Sequence, residues 1–355
     1  MTFEVKIEPL GVTIEVEEDQ NILDAALRQG VYLPHACGHG LCGTCKVDVL
    51  EGDVITGDEA SPFALMDFER DEGKCLTCCA TPESDLVIEA DVDEEPDAQN
   101  IPVRDFSGKV VKIEKLTPRI LGIFLEVDND ELEFQAGQYA NLHIPGLEAP
   151  RPFSMAQSPK DKKLIEFDIA LIPDGEGTTW VHNELKEGDA LSFSAPYGHF
   201  FIRKSDDKPM LFFAGGSGLA SPKSMILDLL ESGDMREIIL FQGARNVAEL
   251  FYKELFEELE ANYPNFTYVP GLSGPDIEPD WKGRVGYIHD VAKERMAGSF
   301  EGYRAYMCGP PLMIDACITT LMRGRLFEKD MFMEKFYSAA DANAERKKSP
   351  LFKNI

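Results

Sequence analysis

Three cysteines stand close together in the glycine-rich run CGHGLCGTC, at positions 37, 42 and 45. Their C-x4-C-x2-C spacing is that of three ligands of a [2Fe–2S] cluster, which needs four thiolates in all. The intervening glycines let the loop wrap tightly and bring backbone N–H groups to the cluster sulfurs. Zinc sites favour paired C-x2-C arms, and disulfide frameworks are typical of short secreted chains. The run therefore predicts a [2Fe–2S] centre with Cys37, Cys42 and Cys45 as ligands.

The fourth ligand must be chosen from Cys75, Cys78 and Cys79. The segment LTCCATPESDLVI resembles the closing segment of plant-type ferredoxins, where the ligand follows a Leu-x pair and precedes a proline by four residues. This resemblance implies that Cys78 is the fourth ligand. Cys79 is then expected to be an inert buried thiol, and Cys75 a partly exposed one.

The charge of the chain is strongly negative and unevenly distributed. Residues 1–100 contain 24 acidic and 5 basic side chains, a net charge of −19, within a total of −28. Nucleic acid and anionic membranes are therefore not expected as partners. No apolar stretch reaches the roughly 18 residues of a membrane span, and no secretion signal is evident, so we expect a cytoplasmic protein with reduced thiols. The acidic face serves either solubility or docking on a basic patch of an electron acceptor.

The order of predicted elements changes twice along the chain. The first part of the chain has the order of a β-grasp ferredoxin domain: two strands, a helix, the cysteine loop and further strands. Short strands separated by turns then predict an antiparallel β-barrel, and alternating strands and helices predict a doubly wound parallel sheet. The fold class is therefore multidomain, α+β followed by α/β. The predicted domains are a ferredoxin domain (1–95), a linker (96–103), a flavin barrel (104–204), a nucleotide domain (205–335) and a C-terminal tail (336–355).

The barrel region holds Arg151, Phe153 and Ser154 on one short strand, with Gly175 and Thr178 some twenty residues later. A flavin dinucleotide needs a cation for its pyrophosphate, an aromatic ring beside the isoalloxazine and a hydroxyl near N5. These residues supply all three and form a candidate FAD site. Taken alone, these residues fit a surface arginine beside a core phenylalanine better than a flavin site, and the order of the surrounding domains favours the flavin site.

Three predicted strands of the nucleotide domain end in residues suited to a dinucleotide. In an open α/β sheet, ligands bind at the carboxyl ends of the strands, and a glycine-rich turn lets the backbone approach a diphosphate. The candidate residues for binding a nicotinamide dinucleotide, NADH or NADPH, are Gly215, Gly216 and Gly218 after the first strand, Arg245 after the second, and Cys308 and Gly309 at the end of the third.

Taken together, the three regions resemble the ferredoxin–NADP reductase superfamily over essentially the whole chain. RPFS is similar to its flavin motif, GGSGLASP to its GGxGxxP turn, and CGPPLM to its nicotinamide-side motif. Ser221 is an extra residue before the proline, which is a departure from the commoner turn. The stretches ACGHG, SPFALMD and FQGARN further resemble the reductase components of bacterial phenol hydroxylases. This resemblance implies FAD, NADH and a diiron hydroxylase as electron acceptor.

The resemblance also implies roles for individual residues. Ser154 is expected to hydrogen-bond flavin N5, Arg151 to neutralise the pyrophosphate, and Cys308 to stand beside the nicotinamide. Phe336, in MEKFYSAAD, resembles the aromatic residue that covers the flavin until nicotinamide displaces it, although an ordinary packed aromatic fits the sequence as well. The functional alternatives are a stand-alone NAD(P)H:acceptor reductase and a redox-sensing module without a dedicated oxygenase.

Overall fold

The computed structural model describes residues 1–336 except 37, 39, 58–59, 93–94, 129–131 and 276. The chain divides into two compact units. The first consists of Met1–Arg104 with Pro196–His199, and the second of Asp105–Ala195 with the chain from Phe200 onward. Within the part of the chain described, no helix is long and apolar enough to cross a membrane.

The first unit is built on a mixed five-stranded sheet. Its elements are β1 (Thr2–Glu8), β2 (Val12–Glu17), α1 (Ile22–Arg28), β3 (Lys46–Glu51), β4 (Val54–Thr56), α2 (Asp67–Asp71), β5 (Lys74–Leu76), β6 (Ala80–Pro82) and β7 (Leu86–Glu89). The strand order is β2-β1-β7-β3-β5, with β1 parallel to β7, and β4 and β6 form a separate ribbon. Alternating side chains of β1 and β2 are buried, as their period-two pattern predicts. The Asn21 side chain caps α1 by accepting a hydrogen bond from Asp24 N at 2.7 Å. The β-grasp prediction is confirmed.

The first part of the second unit is a six-stranded barrel. Its elements are β8 (Arg104–Lys115), β9 (Ile120–Val127), β10 (Tyr139–His143), β11 (Arg151–Ser154), β12 (Leu164–Ala170), α3 (Glu176–Asn183) and β13 (Ala190–Tyr197). The order is β11-β10-β13-β8-β9-β12. The two outer strands meet where Met155, just after β11, bridges to Phe167 of β12, so the sheet closes on itself. The barrel prediction is confirmed.

The rest of the second unit is a parallel sheet between helices. Its elements are β14 (Met210–Gly215), α4 (Ala220–Glu231), β15 (Ile238–Ala244), α5 (Lys253–Asn262), β16 (Phe266–Leu272), β17 (Arg284–Val285), α6 (Ile288–Arg295), β18 (Arg304–Gly309), α7 (Pro311–Arg323) and β19 (Met331–Lys335). The order is β17-β16-β15-β14-β18-β19, and all pairs are parallel. Because β15 and β18 flank β14 on opposite sides, the strand order reverses there, and the crevice at such a point is where ligands bind. The doubly wound prediction is confirmed.

Candidate functional site

The cysteine loop of the first unit brings thiols together as a cluster requires. Cys45 Sγ lies 3.2 Å from Cys78 Sγ, although 33 residues separate them in sequence. Gly40 N donates to Cys78 Sγ at 3.2 Å, and Thr44 N donates to Cys42 Sγ at 3.5 Å. Backbone N–H groups therefore already point at the ligand sulfurs, as iron–sulfur sites need. Cys37 lies outside the described residues.

The glycines of this loop are required by its backbone. Gly38, Gly40 and Gly43 have φ of +74°, +79° and +75°, a left-handed region that side-chain-bearing residues rarely adopt. A Cβ at Gly43 would also lie 3.1 Å from the Ala64 carbonyl oxygen. Thiols, donors and glycine conformations together fit the [2Fe–2S] cluster predicted for this loop.

The exposures predicted for the other two cysteines are wrong. Cys75 is fully buried and Cys79 is half-buried. Cys75 is the middle residue of β5, opposite Val47 of β3, and its side chain therefore faces the core. Burial raises the pKa of the Cys75 thiol to about 12, so this thiol stays protonated and inert. Cys79 Sγ lies 3.5 Å from Cys78 Sγ, and the choice of Cys78 as fourth ligand stays a prediction.

In the second unit, the predicted flavin residues lie on β11, an outer strand paired with β10. Arg151 and Phe153 are half-buried and share one face of the strand, while Ser154 is buried. Arg151 is held by bonds from Nη1 to the Ala149 and Pro150 carbonyl oxygens at 2.7 and 3.3 Å. Its guanidinium is therefore held near the first residue of β11.

The first turn of α3 lies beside Arg151. A Cβ at Gly177 would lie 3.1 Å from Arg151 Cγ, so glycine leaves room for this close approach. Gly175 caps the helix, and the Thr178 hydroxyl bonds its carbonyl at 3.2 Å. A fixed guanidinium next to a helix N-terminus suits a pyrophosphate, since both favour negative charge. Thr178 therefore contacts the turn at Gly175, and it shapes the predicted pyrophosphate site by holding this turn.

The glycine turn after β14 packs against the end of β18. A Cβ at Gly218 would lie 2.5 Å from Gly309 Cα, and one at Gly215 would lie 2.6 Å from Met313 Sδ. These two glycines therefore permit close packing of the two strand ends at the crevice. Gly216 has φ of +56° and open space around its Cα, so its backbone remains free to face a diphosphate.

Four polar side chains from the barrel and the parallel sheet meet at this point. Cys308 Sγ lies 3.9 Å from both Ser221 Oγ and Glu334 Oε2. Ser221 Oγ donates to Glu334 Oε2 at 3.4 Å, and Ser154 of the barrel is near enough to lower the pKa of the Glu334 carboxyl. Ser154, predicted to face the flavin, and Cys308, predicted to face the nicotinamide, thus both lie beside the carboxyl group of Glu334.

Comparisons with known proteins agree with this arrangement. The chain matches family models for a 2Fe-2S iron-sulfur cluster binding domain (residues 5–83), an oxidoreductase FAD-binding domain (108–202) and an oxidoreductase NAD-binding domain (212–318). It is 56% identical to the phenol hydroxylase P5 protein of Acinetobacter pittii over the full length of both chains. It is 57% identical to the reductase component of phenol 2-monooxygenase from a Pseudomonas species, again over the full length of both. The chain belongs to the family of phenol hydroxylase reductase components.

A solved structure supports the same fold for the whole reductase. The cytochrome P450 reductase of Amycolatopsis superposes with a TM-score of 0.85 at 32% identity, covering 94% of this chain and 99% of that one. A ferredoxin reductase of carbazole 1,9a-dioxygenase gives 0.79 at 25% identity, covering 95% and 99%. The reductase therefore has its cluster, flavin and nucleotide domains in the order predicted from the sequence.

Glu334 is the site residue that the sequence analysis missed. It lies on β19 directly beside Cys308 of β18, and the segment MFMEK was not assigned as a strand. Burial raises the pKa of Glu334 to about 7, against hydrogen bonds from Ser221 and Ser154 that lower it. Burial also raises the pKa of Cys308 well above its usual value, so its thiol is neutral. The available signal was a lone acid in an otherwise apolar run after the last helix.

The two remaining predicted residues lie at the edges of the site. Phe336 is half-buried, and its backbone N donates to the Gly309 oxygen at 3.1 Å, so it directly follows the Gly309–Lys335 pair of β18 and β19. Arg245 is exposed at the end of β15 and forms a two-point ion pair with Glu249, with Nε 2.9 Å from Oε2. Their roles toward flavin and dinucleotide stay predictions.

Proposed function

We propose that this reductase takes electrons from NADH and delivers them, through FAD and its [2Fe–2S] cluster, to the diiron hydroxylase of a phenol-type monooxygenase. The observation that carries the proposal is the meeting of Ser154 with Cys308 and Glu334. This meeting joins the flavin barrel to the parallel sheet near β14, where the strand order of the sheet reverses. The full-length similarity to phenol hydroxylase reductase components supports the choice of acceptor.

The three modules share a chain for a chemical reason. FAD, when bound, accepts the two electrons of a hydride and gives them up singly, which a one-electron cluster requires. The side chains of the protein bind FAD and the nicotinamide and orient them. Arg151 and the start of α3 would hold the pyrophosphate, Ser154 would position the flavin edge, and neutral Cys308 would support the nicotinamide without adding charge. Glu334, whose pKa is near neutrality, can hold a proton at this junction.

The pair at the end of β15 favours NADH over NADPH. In doubly wound sheets an acidic residue near the end of the second strand binds the ribose 2′-hydroxyl, while a free arginine accommodates a 2′-phosphate. Here Glu249 engages Arg245, and hydrogen bonding lowers the pKa of Glu249 and raises that of Arg245. The carboxylate is therefore ionised and can accept a hydrogen bond from a ribose hydroxyl, while Arg245 is already engaged by Glu249.

The location and partners follow from the same chemistry. We propose a cytoplasmic protein, because cluster thiolates persist where thiols stay reduced. The net charge of −19 in residues 1–100 favours a protein partner with a basic surface and disfavours nucleic acid.

The test is reconstitution of the purified protein with a phenol hydroxylase. With NADH we expect flavin and cluster reduction followed by hydroxylated phenol, and with NADPH a much lower rate. NADH oxidation with small acceptors but no product in the presence of active hydroxylase would contradict the proposed acceptor. That result would favour the stand-alone reductase or the redox-sensing module.

A further inference from the structure

The segment between β4 and β5 exposes an unusual group of large apolar side chains. Phe63, Met66 and Phe68 have 76%, 42% and 56% of their surface accessible, within six residues of sequence. Ala64 and Leu65 between them are buried and anchor the segment in the core. Single exposed apolar residues are ordinary on a protein surface, whereas a concentrated group marks an interaction site. We call Phe63, Met66 and Phe68 the apolar patch.

The segment that carries the apolar patch is attached to the cluster loop at three places. Ser61 N donates to the Gly40 oxygen at 2.9 Å. The Ala64 carbonyl faces Gly43, where a Cβ would lie 3.1 Å away. Lys46, which directly follows ligand Cys45, forms an ion pair with Glu69 at 2.6 Å. The apolar patch is thus a fixed part of the surface beside the cluster ligands.

Acidic side chains lie within and directly after the apolar patch in sequence. Residues 67–72 carry four acidic groups and one arginine, a net charge of −3. Asp67, Asp71 and Glu72 are exposed, while Lys46 neutralises Glu69 and Arg70 Nη1 bonds Thr56 Oγ1 at 2.9 Å. An apolar centre with a charged rim is the composition of a transient protein interface. Phenylalanine and methionine are among the residue types enriched in protein interfaces.

We infer that the apolar patch is the surface on which the electron acceptor docks. The occupant is a protein that offers an apolar pocket with a rim of lysine or arginine; on the proposed function, on which this inference rests, it is the hydroxylase. Electron transfer weakens steeply with distance, so an acceptor seated on the patch gains from the contacts that fix this segment beside the cysteine loop. The patch provides contact, and the acidic side chains provide orientation.

The test uses the full-length holoprotein with Phe63 and Phe68 replaced by alanine, singly and together. Phe327→Ala is the matched control, since Phe327 is 57% exposed and lies in the second unit. Three quantities are measured for each variant: the cluster EPR signal, NADH oxidation with ferricyanide, and the affinity and apparent KM for the hydroxylase. We expect the double variant to keep the first two and to lose at least tenfold in hydroxylase affinity. Phe327→Ala should keep all three.

A second variant tests the rim without touching the apolar patch. Asp67→Asn with Asp71→Asn should weaken hydroxylase binding at low salt and reduce its dependence on ionic strength. Wild-type affinity in both the phenylalanine double variant and this rim variant would overturn the inference while leaving the proposed function intact. A wild-type protein that oxidises NADH but neither binds nor serves the hydroxylase would contradict the proposed function and this inference together.

Discussion

Replacing Lys223 by methionine should strongly destabilise the second unit. Lys223 is buried at the start of α4, and its Nζ lies 2.5 Å from Glu166 Oε2 of β12 and 4.0 Å above the Tyr252 ring. The Tyr252 hydroxyl bonds Glu166 and, at 3.3 Å, Asp168. Methionine keeps the length of the side chain but leaves Glu166 as a buried charge without its cation. Breaking such a pair on one side costs about 3–5 kcal/mol.

Thermal unfolding of the FAD-loaded protein measures this effect. At roughly 2–4 °C per kcal/mol for a unit of this size, the melting temperature should fall by about 10 °C at pH 7. Burial, followed by the charge of Glu166, raises the pKa of Asp168 to about 8, so the group favours folding when protonated. This contribution is complete below the ordinary pKa near 4 and is lost as pH rises through about 8. The variant should therefore be affected more at pH 8 than at pH 5.

Two further variants separate the buried pair from ordinary surface charge. Lys223→Met combined with Glu166→Gln removes both charges and should recover most of the lost stability. Lys160→Met removes an exposed lysine whose Nζ bonds the Glu231 oxygen at 2.6 Å, and it should cost less than about 1 kcal/mol. A fall of less than about 2 °C for Lys223→Met, or no recovery in the double variant, would refute the reasoning.

Four other predictions follow from the two units. Cys78→Ser should abolish the visible absorption and EPR signal of the cluster, while Cys79→Ser should retain both. Removal of residues 1–100 should leave a flavoprotein that oxidises NADH with ferricyanide but does not support hydroxylation. The stability of Glu334→Gln relative to wild type should rise by up to roughly 3 kcal/mol between pH 5 and pH 8. The reason is that the wild-type carboxyl, with its raised pKa, must ionise in a buried site as the pH rises. The melting temperatures of both proteins measure this difference. Electron transfer to the hydroxylase should slow between 0.01 M and 0.1 M salt, as the screening length falls from roughly 30 Å to about 10 Å, while flavin reduction by NADH changes little in stopped flow.

Each of these has an opposite result that counts against it. A cluster lost in Cys79→Ser and kept in Cys78→Ser would reverse the ligand assignment. A truncated protein unable to oxidise NADH would show that the second unit depends on the first. A constant stability difference for Glu334→Gln across pH would mean that this carboxyl does not titrate in that range. Equal salt dependence of both electron-transfer steps would mean that the acidic surface serves solubility.

The sequence predicted those parts of the molecule that depend on local pattern. The cysteine spacing, the alternating strands and the glycine turns each reflect a constraint within a few residues. The fold class followed from them because strand and helix periodicities differ and change along the chain. Cys45 and Cys78 were matched across 33 residues only through the resemblance of the closing segment.

The parts that the sequence analysis missed arise from pairing across long distances. Glu334 reaches Cys308 through parallel pairing of β18 and β19, 26 residues apart, and the strand that carries it is short. Lys223 and Glu166 are 57 residues apart, and neither belongs to a motif for charge pairing. The exposure of Cys75 was wrong because it depends on which face of β5 meets the core. Ser221, an irregularity in the sequence motif, is a buried hydrogen-bond partner of Glu334 in the structure.

Anaerobic titration with NADH tests the central claim most directly, because it counts electrons within the single chain. Flavin absorbance and the cluster EPR signal are followed together as NADH is added to the fully loaded protein. Two electrons at the flavin and one at the cluster predict an end point of about 1.5 equivalents of NADH, with the EPR signal growing as the flavin is reduced. Cys78→Ser should end at about one equivalent. Full flavin reduction at one equivalent in the wild-type protein, with the cluster still oxidised, would contradict the electron route proposed for this chain.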